Sequence, residues 1–211
     1  MNKKPYHHGD LRTAMIEKGI ELINENGSHS LSLRKVAAAC GVSHAAPYTH
    51  FPNRDDLMAA IENHITEQFS AALESAVIDA DDSPISLFKM GQAYILFFSR
   101  NPQYFSFLFS LTSNHPLSLF SESNNVYKPL EVYKTLITKL LDQINFPNKL
   151  QTDTIVASWA FVHGLAAIAI LSSKPYDEEF EQRIPLLLSS MRITLPNERE
   201  KMTVEWRITD V

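Results

Sequence analysis

The side chains best suited to chemistry are hydrogen-bond donors crowded between Ser32 and Arg54. They are Ser32, Arg34, Ser43, His44, Tyr48, His50 and Arg54, with the small residues Ala45 and Ala46 among them. Hydroxyls, imidazoles and guanidinium groups in such a run recognise rather than transform. They can donate to phosphate oxygens and base edges, and an alanine methyl can lie against a thymine methyl. Groups that would make or break bonds do not stand out: there is no paired-carboxylate site, Ser-His-Asp set or phosphate-cradling glycine loop. His7-His8 and the His44/His50 pair lack the spacing that puts metal ligands on a common face. The expectation is therefore a non-enzyme, with no catalytic residue, metal or cofactor.

Two short helices must position these donors. Ser32 is placed to cap the first, and Leu33, Val36, Ala37 and Cys40 fall on its apolar face. Gly41 ends that helix, because glycine tolerates the left-handed backbone of a C′ position. Val42 plugs the apolar gap at the turn. Ser43 is expected to cap a second helix running through Tyr48 to Phe51, with Pro47 tolerated in its first turn. Helix, glycine turn, helix is the helix-turn-helix layout, whose second helix can enter the DNA major groove. Ser43, His44, Ala45 and Ala46 would then face base edges, Tyr48 and His50 would lie beside the phosphate backbone, and Phe51 would join the core. An earlier helix, capped by Asp10 and ended by Asn26-Gly27, carries Leu11, Met15, Gly19, Ile20 and Ile23 on one face and completes a three-helix domain. The chain up to about Gly9 reads as a flexible arm, with Lys3, Lys4, His7 and His8 within reach of phosphates.

In register and without gaps from about His8 to His64, this third of the chain resembles the DNA-binding domain of the tetracycline-repressor (TetR/AcrR) family. The residues that carry the resemblance are Arg34-Lys35-Val36-Ala37, Cys40-Gly41-Val42-Ser43 and Ala46-Pro47-Tyr48-Thr49-His50-Phe51, followed by Pro52-Asn53-Arg54-Asp55-Asp56-Leu57. It implies that Arg54 stands where the family has a phosphate-binding lysine, with Ser32 and Arg34 similarly placed for the other strand. Taken singly, Tyr48 and His50 also read as half-buried surface residues, and Arg54 as a solvated charge beside Asp55.

The rest of the chain reads as helix. Asn53 caps a long helix to about Ile78 with Leu57, Ile61, His64, Ile65, Phe69 and Leu73 along one face. Further helices are expected at Ile85–Ser99, Pro102–Thr112, Asn124–Gln143, Gln151–Ser172 and Asp177–Ile193, separated by Asn- and Pro-containing breaks. Only Thr203–Thr209 has any strand character. The fold class is all-α: a homeodomain-like helix-turn-helix domain over residues 1–52, a helical ligand-binding and dimerisation bundle over 53–195, and a tail over 196–211 that holds Trp206. The apolar run Ala157–Leu171, broken by Ser158, His163 and Gly164, reads as a buried helix, too short and too polar to span a membrane. One cysteine, Cys40, and an N-terminus without an apolar leader fit the cytoplasm. The net charge of −5 lies wholly beyond His64, since seven basic residues balance seven acidic ones before it. Six of the eight histidines also fall in that neutral N-terminal part.

Aromatic residues gather in the middle of the chain, and Tyr94, Phe97, Phe98, Tyr104 and Phe105 are candidates to line a cavity for a small apolar or aromatic effector. The resemblance supports this, because the family's C-terminal domain usually binds a small inducer. Trp159 and His163, one helical turn apart, belong to a W-x-x-x-H-G-L pattern that looks like one found in a branch of the family. They line either the cavity or the dimer interface, and His163 reads equally as a buried histidine hydrogen-bonded to a backbone carbonyl. By the family analogy the last two helices dimerise, which suits the reading of a palindromic operator in double-stranded DNA. The expected function is a ligand-released repressor. An activator, or a helical ligand-binding protein without DNA binding, are the alternatives.

Overall fold

The computed structural model describes residues 8–78, 83–109, 127–171 and 178–191. Among the described residues there are eight α-helices and no strand, as the all-α reading requires: α1 (His8–Asn26), α2 (Leu33–Ala39), α3 (Arg54–Val77), α4 (Pro84–Arg100), α5 (Pro102–Phe109), α6 (Lys128–Gln143), α7 (Asn148–Leu171) and α8 (Glu178–Ser189). Single 3-10 turns lie at Ser28–Ser30 and Ala46–Thr49. Two compact units result. One comprises the chain up to Thr66 with the end of α5 from Ser106, and the other Glu67 to Phe105 with the remaining helices. The division falls inside α3 rather than at residue 52. The N-terminal arm up to residue 7, the breaks at 79–82, 114–116 and 174–175, Phe120 and the tail with Trp206 lie outside the described residues, whereas residues 8 and 9 of the expected arm belong to α1.

In the first unit, α1 starts at His8, so Asp10 sits within its first turn instead of capping it. Leu11, Met15, Ile16 and Ile20 are buried, and α1 packs on α2. Two polar ties reinforce that packing. Cys40 Sγ donates to the Ala14 carbonyl oxygen at 3.7 Å, and His64 Nε2 lies 2.7 Å from Glu17 Oε1, joining α3 to α1. The α2 segment forms as its residues dictate. Ser32 Oγ accepts from the Lys35 amide at 3.3 Å, and Leu33, Val36 and Ala37 are buried. Gly41 takes φ +67°, so the Gly41 amide reaches the Ala38 carbonyl and the Val42 amide the Ala37 carbonyl, at 3.1 and 3.0 Å. This is a Schellman stop, and it satisfies carbonyls the helix end would leave open. Asn53 Oδ1 accepts from the Asp56 amide at 3.0 Å and caps α3.

In the second unit, Pro84 opens α4 at a position where its missing N–H costs no helical bond. Helix α4 packs against α6, α7 and α8. Gly91 permits a close approach, because a Cβ there would stand 3.2 Å from Leu188 of α8 and 3.4 Å from Val162 of α7. Ala166 and Ala169 of α7 are buried, as small residues at a helix contact should be. Helix α8 carries Pro185 inside it and buries Ile184 and Leu188. Helix α7 corrects the expectation of a segment too short for a membrane. It has 24 residues and is long and apolar enough, by length and composition, to cross one. Its sequence neighbours in the fold explain the apolarity differently: one side of α7 forms the core of this unit, with Ile155, Ser158, Trp159, Val162 and Ala166 buried.

Candidate nucleic-acid interface

The segment expected to read DNA is not the α-helix expected from Ser43 to Phe51. It is a 3-10 turn over Ala46–Thr49, with Ala45, not Ser43, at its N-cap and no side-chain capping bond. The cause is Pro47. It has no N–H to give to the Ser43 carbonyl, so the α-helical bond between these two residues cannot form. The backbone bonds are accordingly short-range. The Ala46 amide donates to Ser43, Tyr48 to Ala45 and His50 to Pro47, at 3.0, 3.2 and 2.9 Å. Pro47 and Phe51 are buried and anchor the turn, and the Arg12 guanidinium carbon lies 5.2 Å from the Phe51 ring centre.

Anchoring from beneath leaves the recognition groups outward. Ser43, His44 and Ala45 are exposed, Ala46 and His50 are half-buried, and the Tyr48 side chain is 53% exposed. An exposed tyrosine with a free hydroxyl, on a turn held by a buried proline and phenylalanine, is a donor presented to a partner. Arg34 is exposed near the start of α2, whereas Ser32 is half-buried and already engaged as the cap. Lys35 folds back, its Nζ donating to the Ser30 carbonyl oxygen at 2.8 Å. Arg54 does likewise, with Nε and Nη2 donating to the carbonyl oxygens of Leu31 and Ser28. Sequence reasoning missed Arg12 and these backbone contacts, because partners that distant along the chain leave no local pattern.

The second unit brings most of the other candidates together. Tyr94 is buried, and its hydroxyl lies 2.8 Å from His163 Nδ1. Its ring stands edge-on to Trp159 at 5.0 Å and tilted against Phe98 at 5.3 Å. Phe105 lies 4.8 Å from the His163 ring and 5.3 Å from Phe98, while Tyr104 is attached through Phe97 at 5.9 Å. Phe69 and Tyr133, absent from the expected set, belong to the same cluster. Phe69 meets Tyr94, Phe97 and Phe98 at 5.0, 5.1 and 4.6 Å, and Tyr133 meets Trp159 at 5.2 Å. Phe69 had been visible only as one more apolar residue on the α3 face. Burial pushes the Tyr94 and Tyr133 hydroxyls above the ordinary tyrosine range and lowers His163, so His163 favours its neutral form. A neutral imidazole can accept a hydrogen bond from the Tyr94 hydroxyl at Nδ1, with its proton on Nε2. Trp159 Nε1 is buried without a hydrogen-bond partner. Among the described residues no group of three or more His, Cys, Asp or Glu side chains could hold a metal ion.

An all-helical fold that presents donors from a glycine-stopped helix-turn-helix defines a DNA-binding protein. Residues 15–61 match the family model of bacterial regulatory proteins of the tetR family, and the chain is a DNA-binding transcriptional regulator. Among curated relatives, the nucleoid occlusion factor SlmA of Photorhabdus laumondii is 28% identical over 185 residues, covering 81% of this chain and 88% of that one. An HTH-type transcriptional repressor of Mycobacterium tuberculosis is 27% identical over 73 residues, 35% of this chain and 39% of its own. Solved structures share the fold. A protein of unknown function from Rhodococcus sp. RHA1 aligns with a TM-score of 0.67 at 24% identity, over 90% of this chain and 99% of its own. A TetR/AcrR-family transcriptional regulator from Thermobifida fusca aligns at 0.58 and 20%, over 87% and 99%.

Proposed function

We propose that the protein is a ligand-responsive repressor that binds a palindromic operator as a homodimer in the cytoplasm and is released by a small apolar or aromatic effector. The observation that carries the reading is the outward turn at Ser43–Tyr48, held from beneath by buried Pro47 and Phe51. Ser43, His44, Ala45 and Ala46 reach base edges from it, while Tyr48, His50, Arg34 and Ser32 meet the sugar–phosphate backbone. Dimerisation is supported by a stripe on α7. Ala157, Ala160, Ile168 and Leu171 recur at helical spacing and are exposed, Ile168 and Leu171 by 62% and 83%, and Leu186 on α8 is 73% exposed. Large apolar side chains left in water on the last two helices suit burial against a second copy. The effector reading rests on Tyr94, Phe97, Phe98, Tyr104, Phe105, Trp159 and His163. In that cluster the buried indole N–H of Trp159 offers a hydrogen bond to a guest that brings an acceptor.

The test is sedimentation of the wild-type protein and of Ile168→Glu, alone and with a duplex selected by the wild type. The reading expects a dimeric wild type that places two copies on a two-fold-symmetric duplex. It expects Ile168→Glu to sediment as a monomer and to bind that duplex weakly. A wild type that is monomeric on and off DNA refutes it. The likeness to nucleoid occlusion factors extends over 81% of the chain, well beyond the helix-turn-helix, and supports a second reading as a chromosome-bound factor of that type. Mapping of bound sites across the genome separates the two: sites confined to promoters favour the repressor, and sites spread along the chromosome favour the other.

A further inference from the structure

Arg54 opens α3 next to the recognition turn, in a place where a cation would be expected to grip phosphate. Its guanidinium is turned the other way. Nε donates to the Leu31 carbonyl oxygen at 3.2 Å and Nη2 to the Ser28 carbonyl oxygen at 2.8 Å, which occupies the Nε/Nη2 edge of the fork. Nη1 lies 3.4 Å from a carboxylate oxygen of Asp55, the next residue. Two of its five N–H donors are thus committed to backbone, and the carboxylate beside Nη1 disfavours the approach of a second anion there.

The two carbonyls are not arbitrary. Ser28 begins the 3-10 turn between α1 and α2, and Leu31 directly precedes Ser32, the cap of α2. The carbonyl between them, Ser30, accepts from Lys35 Nζ at 2.8 Å. The α1–α2 connection is therefore held from two sides, by Lys35 of α2 and by Arg54 of α3. Helix α2 in turn packs on the Ala46–Thr49 turn that carries the base-facing residues. A planar fork can bridge two carbonyls at once, whereas an ammonium ion is a point donor.

We propose that Arg54 is a positioning residue for DNA recognition, whose Nε and Nη2 hold the Ser28 and Leu31 carbonyl oxygens and thereby fix the Ser32 cap and the entry of α2, and that it does not contact phosphate. This rests on the DNA-binding function of the unit and on no assumption about effector or dimer.

The experiment compares the full-length wild type with Arg54→Lys and Arg54→Gln on a duplex selected by the wild type, over a range of salt concentrations. Hydrogen exchange of the free proteins is measured at the Lys35 and Val36 amides. Positioning predicts that both variants bind about tenfold more weakly at every salt concentration, with the salt slope unchanged, since no phosphate contact is lost. It also predicts faster exchange at the two capped amides before any DNA is added, with Arg54→Lys as the reading if Arg54→Gln does not fold. A phosphate contact predicts the reverse: Arg54→Lys binds like the wild type, and Arg54→Gln loses about 1 from the salt slope. That pattern overturns the proposal, as does wild-type binding by both variants or unchanged amide exchange in both.

Discussion

Replacing Phe69 with alanine tests whether the aromatic cluster of the second unit is close-packed core. The ring is fully buried, with neighbouring ring centres at 4.6 Å (Phe98), 5.0 Å (Tyr94), 5.1 Å (Phe97) and 6.5 Å (Trp159). A buried Phe→Ala change costs about 3–5 kcal/mol, from lost transfer free energy and the void left behind. The ring contacts raise the cost, since aromatic pairs contribute about 0.5–1.5 kcal/mol beyond their area. The expected loss is therefore about 4–5 kcal/mol. At about 2–4 °C per kcal/mol for a chain of this length, the midpoint should fall by about 8–20 °C. Phe69→Leu keeps most of the volume and should cost less than half as much. Calorimetric melting at one fixed protomer concentration checks both. A loss below about 1 kcal/mol for Phe69→Ala would refute the reasoning, because the ring would then border a space that already exists instead of filling one.

Three further outcomes follow from single contacts. Burial holds the His163 pKa below its ordinary 6.5, so the unfolded chain takes up this proton first. The His163 contribution is then level above pH 6.5, and stability falls as pH drops below that value until the folded pKa is passed. Thermal midpoints measured across this window should fall less steeply in His163→Gln than in the wild type, and equal slopes would count against it. Ser32→Ala removes the acceptor for the Lys35 amide and should cost about 1 kcal/mol, with Ser32→Gly costing only a few tenths, as read by urea unfolding. Gly41→Ala forces a Cβ into the left-handed region at φ +67° and should cost about 1–2 kcal/mol by the same measurement, even though the space around it is open.

The parts of the fold legible in the sequence are those written in local chemistry. Cys40-Gly41-Val42 announced a helix stop, and the Schellman bonds are there. Asn53 announced a cap, and its Oδ1 holds the Asp56 amide. The 3.6-residue repeat from Leu57 to Leu73 marked the buried face of α3. What was hidden depends on partners far along the chain. Arg54 matched a phosphate-gripping position by spacing, but Ser28 and Leu31 carbonyls come to it only after folding. Phe69 and Tyr133 enter the aromatic cluster through helix packing, which no motif around them encodes. The recognition turn was a different kind of miss. Pro47 lacks the N–H that an α-helix capped by Ser43 would need at that position, and the helix-turn-helix spacing does not encode this.

The most direct test of the central claim is binding of the purified protein to a pool of random duplex DNA, followed by selection, sequencing and a salt titration on the enriched duplex. The account predicts an enriched sequence motif bound with an affinity that falls steeply as salt rises, and loss of the motif preference when His44 and Tyr48 are replaced by alanine. A pool that emerges without a motif, or a motif read equally well by the His44→Ala, Tyr48→Ala protein, would contradict it.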